Sequence, residues 1–400
     1  MKEVMIVSAA RTPFGKFGGL LRGVSNVDLG AHVVKGTLDR INLDYKEVDE
    51  VYFGVNMPSE NRSIARQIAL KAGLPETTPA ATIDRACCSS AIAIGIGYRS
   101  IKGGDIDIAV GGGSENLSAT PYFLPELRWG NRLGSITLND ILQVSCPHTG
   151  ERRAWQAGTD AVKYGVSRED QDKWALRSQQ LYAKALAEGK FKDEIIPFKI
   201  PKMKGGKQVD TIIMNEDEGP RPNTSLEKLS KLPTIYNSPT VTAGNAPGLS
   251  TGAASMILMS KEKAEKLNIQ PLATIVAHAL GAGHPRGIAT IPGITSLKVL
   301  EKAKMSIDQI DLVEINEAFA VMPLVSAIII GNHDSKKIEE IKNKTNVNGG
   351  AIAIGHPTGA SAARILMTLI YELKRRGGGY GLSTICGGIG QGESFIVKVN

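Results

Sequence analysis

The sequence predicts an α/β protein built of two similar halves with a segment of different character between them. Three observations predict it. Short runs rich in Val and Ile alternate with helix-like segments over the first 120 residues, the same order returns after about residue 269, and the stretch between suspends it. We place the N-terminal half at 1–120, completed by about 239–268, a loop domain at 121–238 and the C-terminal half at 269–400. At 400 residues, 42% hydrophobic and 22% charged, the chain can bury a large core.

In the first half the apolar run Val4 to Ser8 reads as a strand. A helix follows from about Asp28 to Arg40, then a strand at Val51 to Gly54, a helix around Ile64 to Ala72 and a strand at Thr82 to Ala86. A helix of small residues runs through Ala91, Ile92 and Ile96 to Ile101, and a further strand at Ile106 to Val110 leads into Gly111-Gly112-Gly113.

The repeat is in register. Val48 to Phe53 has its counterpart 262 positions on, in Ile310 to Ile315, and the same offset carries Cys87 onto Gly349. Ile106 to Gly113 resembles Leu382 to Gly388 at an offset near 275. A duplication of this length implies two similar α/β layers packed together, with a site where corresponding strand ends meet. In the segment between, Ser167 to Ala187 forms a helix whose apolar face includes Trp174, Leu176, Leu181 and Leu186, and Lys202 to Lys207 forms a glycine- and lysine-rich loop. Such insertions on a rigid scaffold carry substrate binding.

Composition narrows the function. The net charge of +7 favours an anionic partner, but 47 basic against 40 acidic residues are spread along the chain without basic blocks interleaved by aromatics. That argues against nucleic acid and for a phosphate-bearing substrate. The four cysteines, Cys87, Cys88, Cys146 and Cys386, follow no paired C-x-x-C metal pattern and are too few for a disulfide scaffold. We expect no metal and no bound cofactor. No apolar run has the length of a membrane span and the chain begins directly with a strand, so a cytoplasmic protein is expected.

Four stretches have chemical potential. Asp84 to Ser90 places a cysteine pair just ahead of Ser89 and Ser90, both good N-cap residues, where free N–H groups and the helix dipole favour a thiolate. Gly349 to Pro357 holds His356 in a glycine-rich turn before a helix. Cys386 to Gly392 puts a second thiol at a strand end backed by glycines, and Asn316-Glu317-Ala318-Phe319 follows the strand Leu312 to Ile315, where an amide can orient a water. The duplication makes these strand ends converge.

With these stretches, and with Ile6 to Gly15, Gly112 to Ser118, Thr240 to Ala246 and Asn346 to Gly359, the chain resembles the thiolase family over almost its whole length. The resemblance implies the five-layered αβαβα thiolase fold, a homodimer or homotetramer, and coenzyme A thioesters as substrates, with coenzyme A itself a substrate. Some members work with a small zinc-ribbon partner. Aligning on Ser89 makes Cys87 the acylated nucleophile. His356 becomes its base, Cys386 the acid/base at the substrate α-carbon, Asn316 with His356 one oxyanion site, and the N–H groups of Cys87 and Gly388 the other. Arg221, Ala246, Pro247 and Gly248 fall where the family contacts coenzyme A. A ketoacyl synthase, the other enzyme class on this fold, is disfavoured by the cysteine at 386, and a non-catalytic acyl-CoA-binding relative by retention of all three groups.

The chain departs from the pattern in places. Asp84 replaces the usual Asn, Ser90 the usual Gly, Pro247 the usual Ser, and Cys386 is followed by Gly387-Gly388-Ile389 rather than Ile-Gly-Gly. The Met-Gly-x-Thr-Ala-Glu box is replaced by Arg153 to Gly158, preceded by Arg152. Arg152, Arg153 and Trp155 thus come to a loop that lines the acyl and pantetheine pocket in the family. A bulky, aromatic or carboxylated 3-oxoacyl-CoA is favoured over acetoacetyl-CoA, since guanidinium groups read carboxylates and a Trp face suits a ring. The alternative is an acetyl-CoA C-acetyltransferase acting on acetoacetyl-CoA.

Overall fold

A computed structural model describes residues 1–400 apart from Asn61, Glu126, Val144 and Gly206. The first half runs Val4–Arg11 (β1), Asn26–Asp39 (α1), Glu50–Gly54 (β2), Ile64–Ala72 (α2), Ala80–Ile83 (β3), Ser89–Gly103 (α3) and Ile108–Asn116 (β4). After an insertion holding Arg153–Lys163 (α4), Arg168–Ala187 (α5) and the hairpin Phe198–Lys204 (β5) and Lys207–Met214 (β6), the chain returns as Ser250–Ser260 (β7). The second half runs Ala273–Ala282 (β8), Ile291–Ala303 (α6), Leu312–Ile315 (β9), Val321–Ile330 (α7), Ser361–Arg375 (α8), Gly379–Gly387 (β10) and Gln391–Val399 (β11).

The duplication is visible in the sheet. From a seam where β1 pairs with β8, the strands run β1-β7-β4-β2-β3 on one side and β8-β11-β10-β9 on the other. Beyond β9, Thr345 bridges in parallel to Val313 in the place that β3 holds in the first half. β2 is parallel to both β3 and β4, as β9 is to β10, while β7 and β11 are antiparallel to their neighbours.

Parallel strands need cover on both faces. α1 and α2 cover the outer face of the first half, α6 packs the outer face of the second with α7 against it, and α3 and α8 touch each other between the two. The order helix, sheet, helix, sheet, helix is the five-layered arrangement that the resemblance implies. In the central layer the halves approach so closely that a Cβ on Gly113 would come 2.0 Å from the Gly359 carbonyl oxygen, so only glycine fits there.

Particular expectations are corrected. The strand ahead of Cys87 ends at Ile83, leaving residues 84–88 as a turn. Lys202 to Lys207, read as a loop, is the tip of the β5–β6 hairpin, with Gly206 outside the described residues. The central helices open at Ser89 and Ser361, so the Cys87 turn is matched by the turn at Gly359 and not by Gly349. The constant offset fails because the second half carries the additional helices Ser335–Asn343 and Ala351–Ile354 ahead of α8.

The insertion is fastened to the core by one buried arginine. Arg11, at the end of β1, donates through Nε to Glu194 Oε2 (2.9 Å) and through Nη1 and Nη2 to the two Asp217 oxygens (2.7 and 3.0 Å), with all three side chains fully buried. Burial alone disfavours its charge, but the two carboxylates outweigh burial and push the guanidinium pKa up. Among the described residues no helix is long and apolar enough to cross a membrane. Arg11→Met should lower unfolding stability by about 3–5 kcal/mol, because it leaves two carboxylates buried without their cation. Denaturant titration against wild type measures this.

Candidate active site

The cysteine turn is held from behind. Ala86 sits in the left-handed region (φ 48°), which costs a non-glycine residue about 1 kcal/mol. Two bonds hold it there: Asp84 Oδ1 accepts from Ala86 N (2.9 Å), and Ser89 Oγ donates to Ala86 O (2.6 Å). Ser89 Oγ also accepts from Arg85 N (2.9 Å), so this serine closes the turn and does not cap α3 as expected. The N-cap of α3 is Cys88, without a side-chain cap bond. Cys88 is fully buried with its thiol toward Ile385 O (3.7 Å), whereas Cys87 keeps partial exposure. Ser90 Oγ accepts from Ala363 N (3.1 Å), one of the unpaired N–H groups that open α8, and thereby joins the central helices.

His356 lies just ahead of α8. Its Nδ1 is 2.6 Å from Ser361 Oγ, whose own hydrogen goes to Pro357 O (2.9 Å), and its Nε2 is 3.4 Å from Asn316 Nδ2. An amide nitrogen only donates, so Nε2 carries the lone pair and Nδ1 the proton. The backbone is fixed by Ser250 Oγ, which accepts from His356 N (3.1 Å). On the far side, Glu115 accepts from Thr358 Oγ1 (2.6 Å) and Gly359 N (2.9 Å). Ser361, Ser250 and Glu115 were missed by sequence reasoning; Ser361, five positions after His356 at a helix start, had a readable signal.

Cys386 lies near the end of β10, and the loop beyond it abuts the cysteine turn. A Cβ on Gly387 would meet Arg85 O and Cys88 Sγ at 3.1 Å, and one on Gly388 would meet Ala86 Cβ at 3.5 Å and Arg153 Nη2 at 3.3 Å. Ile389, where the family pattern has glycine, takes φ 62°, which a β-branched residue rarely adopts. The N–H groups of Cys87 and Gly388 donate to no backbone carbonyl outside regular structure among the described residues.

Burial sets the charges. It pushes the Cys87 thiol up, with Cys386 and Glu115 adding to it and Arg153 opposing; Cys386 is pushed up to about 12 by burial, again with Arg153 opposing. His356 is pushed down to about 3 by burial and by the Arg364 guanidinium. Desolvation thus opposes the thiolate expected from the helix terminus and favours the neutral form of both thiols and of the imidazole.

The other expected residues separate. Arg221 and Ala246 line a cleft of about 350 Å³ together with Gln179, Lys228, Leu229 and Ile352. Pro247 is half-buried and Gly248 exposed, and neither lines it; Gly248 O accepts instead from Ser250 Oγ (2.7 Å). Arg153 faces the Gly388 loop. Arg152 stacks on Tyr236 (5.2 Å) and reaches Gln143, and Trp155 is half-buried on α4, so the two arginines do not act as a pair. No group of three or more His, Cys, Asp or Glu among the described residues is placed to hold a metal ion.

A duplicated α/β scaffold that sets one thiol near another and an imidazole beside an amide has the parts that covalent acyl transfer uses. The family model described as "Thiolase, N-terminal domain" matches residues 4–262 and that described as "Thiolase, C-terminal domain" residues 269–399. An acetyl-CoA acetyltransferase of Syntrophomonas wolfei is 41% identical across 99% of each chain, and human mitochondrial 3-ketoacyl-CoA thiolase is 40% identical across 100% of this chain and 98% of its own. The crystal structure of the human enzyme in complex with CoA superposes with a TM-score of 0.91 at 38% identity, covering 100% of this chain and 98% of that one. The chain belongs to the thiolase family and is an acyltransferase of that class.

Two outcomes follow from the histidine. Ser361→Ala should lower kcat roughly tenfold, one hydrogen bond's worth, because Nδ1–H loses its acceptor as the imidazolium forms. In wild type, kcat/KM should stay flat as pH falls through about 6.5, where an ordinary imidazole would be protonated and lost as a base. A lowered pKa keeps the base form through that range. A profile that halves near that pH would place His356 at its ordinary value.

Proposed function

We propose that the chain catalyses acyl exchange between a 3-oxoacyl-CoA and coenzyme A through an acyl group on Cys87. What supports this is the imidazole with its lone pair on Nε2 beside Asn316, together with the thiols of Cys87 and Cys386, which lie near enough to feel each other's charge. His356 Nε2 takes the Cys87 proton as the sulfur attacks the C3 carbonyl, the C2–C3 bond breaks, and Cys386 protonates the departing enolate of acetyl-CoA. Coenzyme A then gives its thiol proton to the Cys386 thiolate and attacks the acyl-cysteine, and the imidazolium returns its proton to Cys87. The same site run backwards is the Claisen condensation.

Each oxyanion needs its own donors, and losing one typically costs about 3–4 kcal/mol of barrier. In this reading Cys87 N–H and Gly388 N–H serve the thioester oxyanion. Asn316 serves the other with His356, through a water held at an Oδ1 that has no protein donor. The basic cleft of Arg221 and Lys228 takes the coenzyme A phosphates. The acyl group is larger than acetyl, since arginine stands in the acyl-pocket box, and acetoacetyl-CoA is the rival substrate.

The chain acts in the cytoplasm as a homo-oligomer. Trp129 (89% exposed), Leu133 (88%), Tyr122 and Leu138, all within residues 122–138 of the insertion, are large apolar side chains left to water. A second copy covers these side chains in this reading; a small zinc-ribbon protein is the other occupant, and the mass of the purified assembly in sedimentation distinguishes them. Cys87→Ala should abolish thiolysis and condensation, while Cys88→Ala retains both, and mass spectrometry after incubation with acyl-CoA should find the acyl group on Cys87. Cys386→Ala should still be acylated but should lose deuterium exchange at the acetyl-CoA α-carbon. An acyl group on Cys88, or exchange at the wild-type rate, would overturn the respective assignment.

A further inference from the structure

We propose that Arg153 selects the acyl group, and that the group it selects ends in a carboxylate a few bonds from the thioester carbon, as in a short dicarboxylic 3-oxoacyl thioester. The inference rests on the thiolase reading and deepens its substrate.

Arg153 opens α4, and its guanidinium lies against the Gly388 loop, with Nη2 3.3 Å and Cζ 3.7 Å from where a Gly388 Cβ would stand. That is the wall from which the thioester oxygen is held in the proposed mechanism. Its charge is felt at both catalytic sulfurs. Arg221 and Lys228 line the separate cleft, so the coenzyme A phosphates have other cations to meet.

The guanidinium is half-buried and has no carboxylate partner among the described residues. Glu151, the nearest acid in sequence, is taken by Arg286 (2.8 Å). Among the described residues, the side-chain oxygen that accepts from Arg153 is Gln156 Oε1 (3.1 Å), a neutral partner. Gln156 is itself fully buried and held, since its Nε2 donates to Thr149 Oγ1 (2.9 Å) and Glu151 Oε2 (3.3 Å). One donor is therefore held by Gln156 and another is drawn to the Cys146 thiol, and the guanidinium keeps further N–H groups for an arriving carboxylate. Cys146 stands nearby; against the effect of burial, donors from Thr149, His148 and Arg153 bring its thiol down to about 7, so it supplies only part of a countercharge at neutral pH.

A partly desolvated cation without an anion is costly, and an arriving carboxylate relieves it through a bidentate, charge-assisted pair. Arginine here replaces the apolar Met of the family box, which offers nothing to a carboxylate. Geometry limits the tail. Arg153 Nη2 stands 3.3 Å from where a Gly388 Cβ would be, and its charge is felt at both sulfurs, so a carboxylate that meets it lies only a few bonds from a thioester carbon at Cys87.

The test is coenzyme-A-dependent cleavage of acetoacetyl-CoA, of 3-oxohexanoyl-CoA, and of the same chain with its terminal methyl oxidised to a carboxylate, by wild type, Arg153→Met and Arg153→Lys. Wild type should favour the carboxylate-ended substrate over its methyl-ended twin by roughly 10- to 100-fold in kcat/KM. Arg153→Met should erase that preference mainly through KM, and Arg153→Lys should keep part of it. The wild-type preference is read without any variant, so a misfolded mutant leaves the proposal testable. Cleavage of the methyl-ended substrates without preference for the carboxylate would sink the proposal and leave the thiolase reading standing. Equal loss on all three substrates in Arg153→Met would reassign the arginine to the thiols. Absence of cleavage of every substrate, with no acyl group on Cys87, would remove the thiolase reading and this proposal with it.

Discussion

The site depends on one buried carboxylate, that of Glu317, which directly follows Asn316. Its Oε1 accepts from Trp174 Nε1 (2.9 Å) and Asn346 Nδ2 (3.0 Å), and its Oε2 from Ser178 Oγ (2.8 Å) and Ile352 N (3.0 Å). Trp174 and Ser178 belong to the inserted helix α5, Asn346 to the segment beside β9, and Ile352 to the turn that carries His356. Ser178 Oγ in turn accepts from Gly350 N (2.9 Å). A single anion thus sets the distance between amide, imidazole and insertion, and because it is buried its donors cannot be exchanged for water without desolvation cost. The close fit is enforced sterically too, since a Cβ on Gly350 would come 2.3 Å from the Glu317 carboxyl carbon.

Desolvation penalises a thiolate and an imidazolium alike, and in the proposed mechanism charge is separated only as attack on the substrate produces an oxyanion that the donors can stabilise. Arg364, fully buried in α8 and 3.5 Å from Glu314 Oε2, adds to the penalty on an imidazolium while itself being only partly compensated. The cation that favours anionic sulfur is Arg153. It comes from the insertion, so in the proposed mechanism the scaffold supplies the nucleophile and the insertion adjusts how readily it ionises.

Much of the scaffold was legible because its signals are local. Ile64 to Ala72 was read with the bounds that the helix has, and β2 and β9 fall where the repeat placed them, since apolar runs between turn residues need no tertiary information. The errors arise where partners lie far away in sequence. Ser89 looks like a cap because a serine before a helix usually is one, yet Arg85 N and Ala86 O are nearer claimants on its hydroxyl. The roles of Ser250 and Glu115 toward residues 356–359 span more than a hundred positions and leave no periodic mark. Arg152 and Arg153 are adjacent in sequence but diverge at the start of α4, where consecutive side chains point in different directions, one toward Tyr236 and the other toward Gly388.

The duplication also accounts for how the chemistry is divided. Each half places one helix in the central layer, and each of these helices is entered through a tight turn, at Cys87 before Ser89 and at Gly359 before Ser361. The two turns hold equivalent places at one interface, but Gly359 N and Ala363 N of the second are taken by Glu115 and Ser90, and a catalytic site needs unlike partners. The first turn presents a thiol. The second, with its larger excursion through Ala351–Ile354, presents an imidazole from three residues upstream of its glycine. Ser90 and Ala363 bond across the pair, and Gly113 and Gly359 remove the side chains that would hold the halves apart. Symmetric packing thereby fixes the separation of two asymmetric reagents, which neither half could do with a flexible loop of its own.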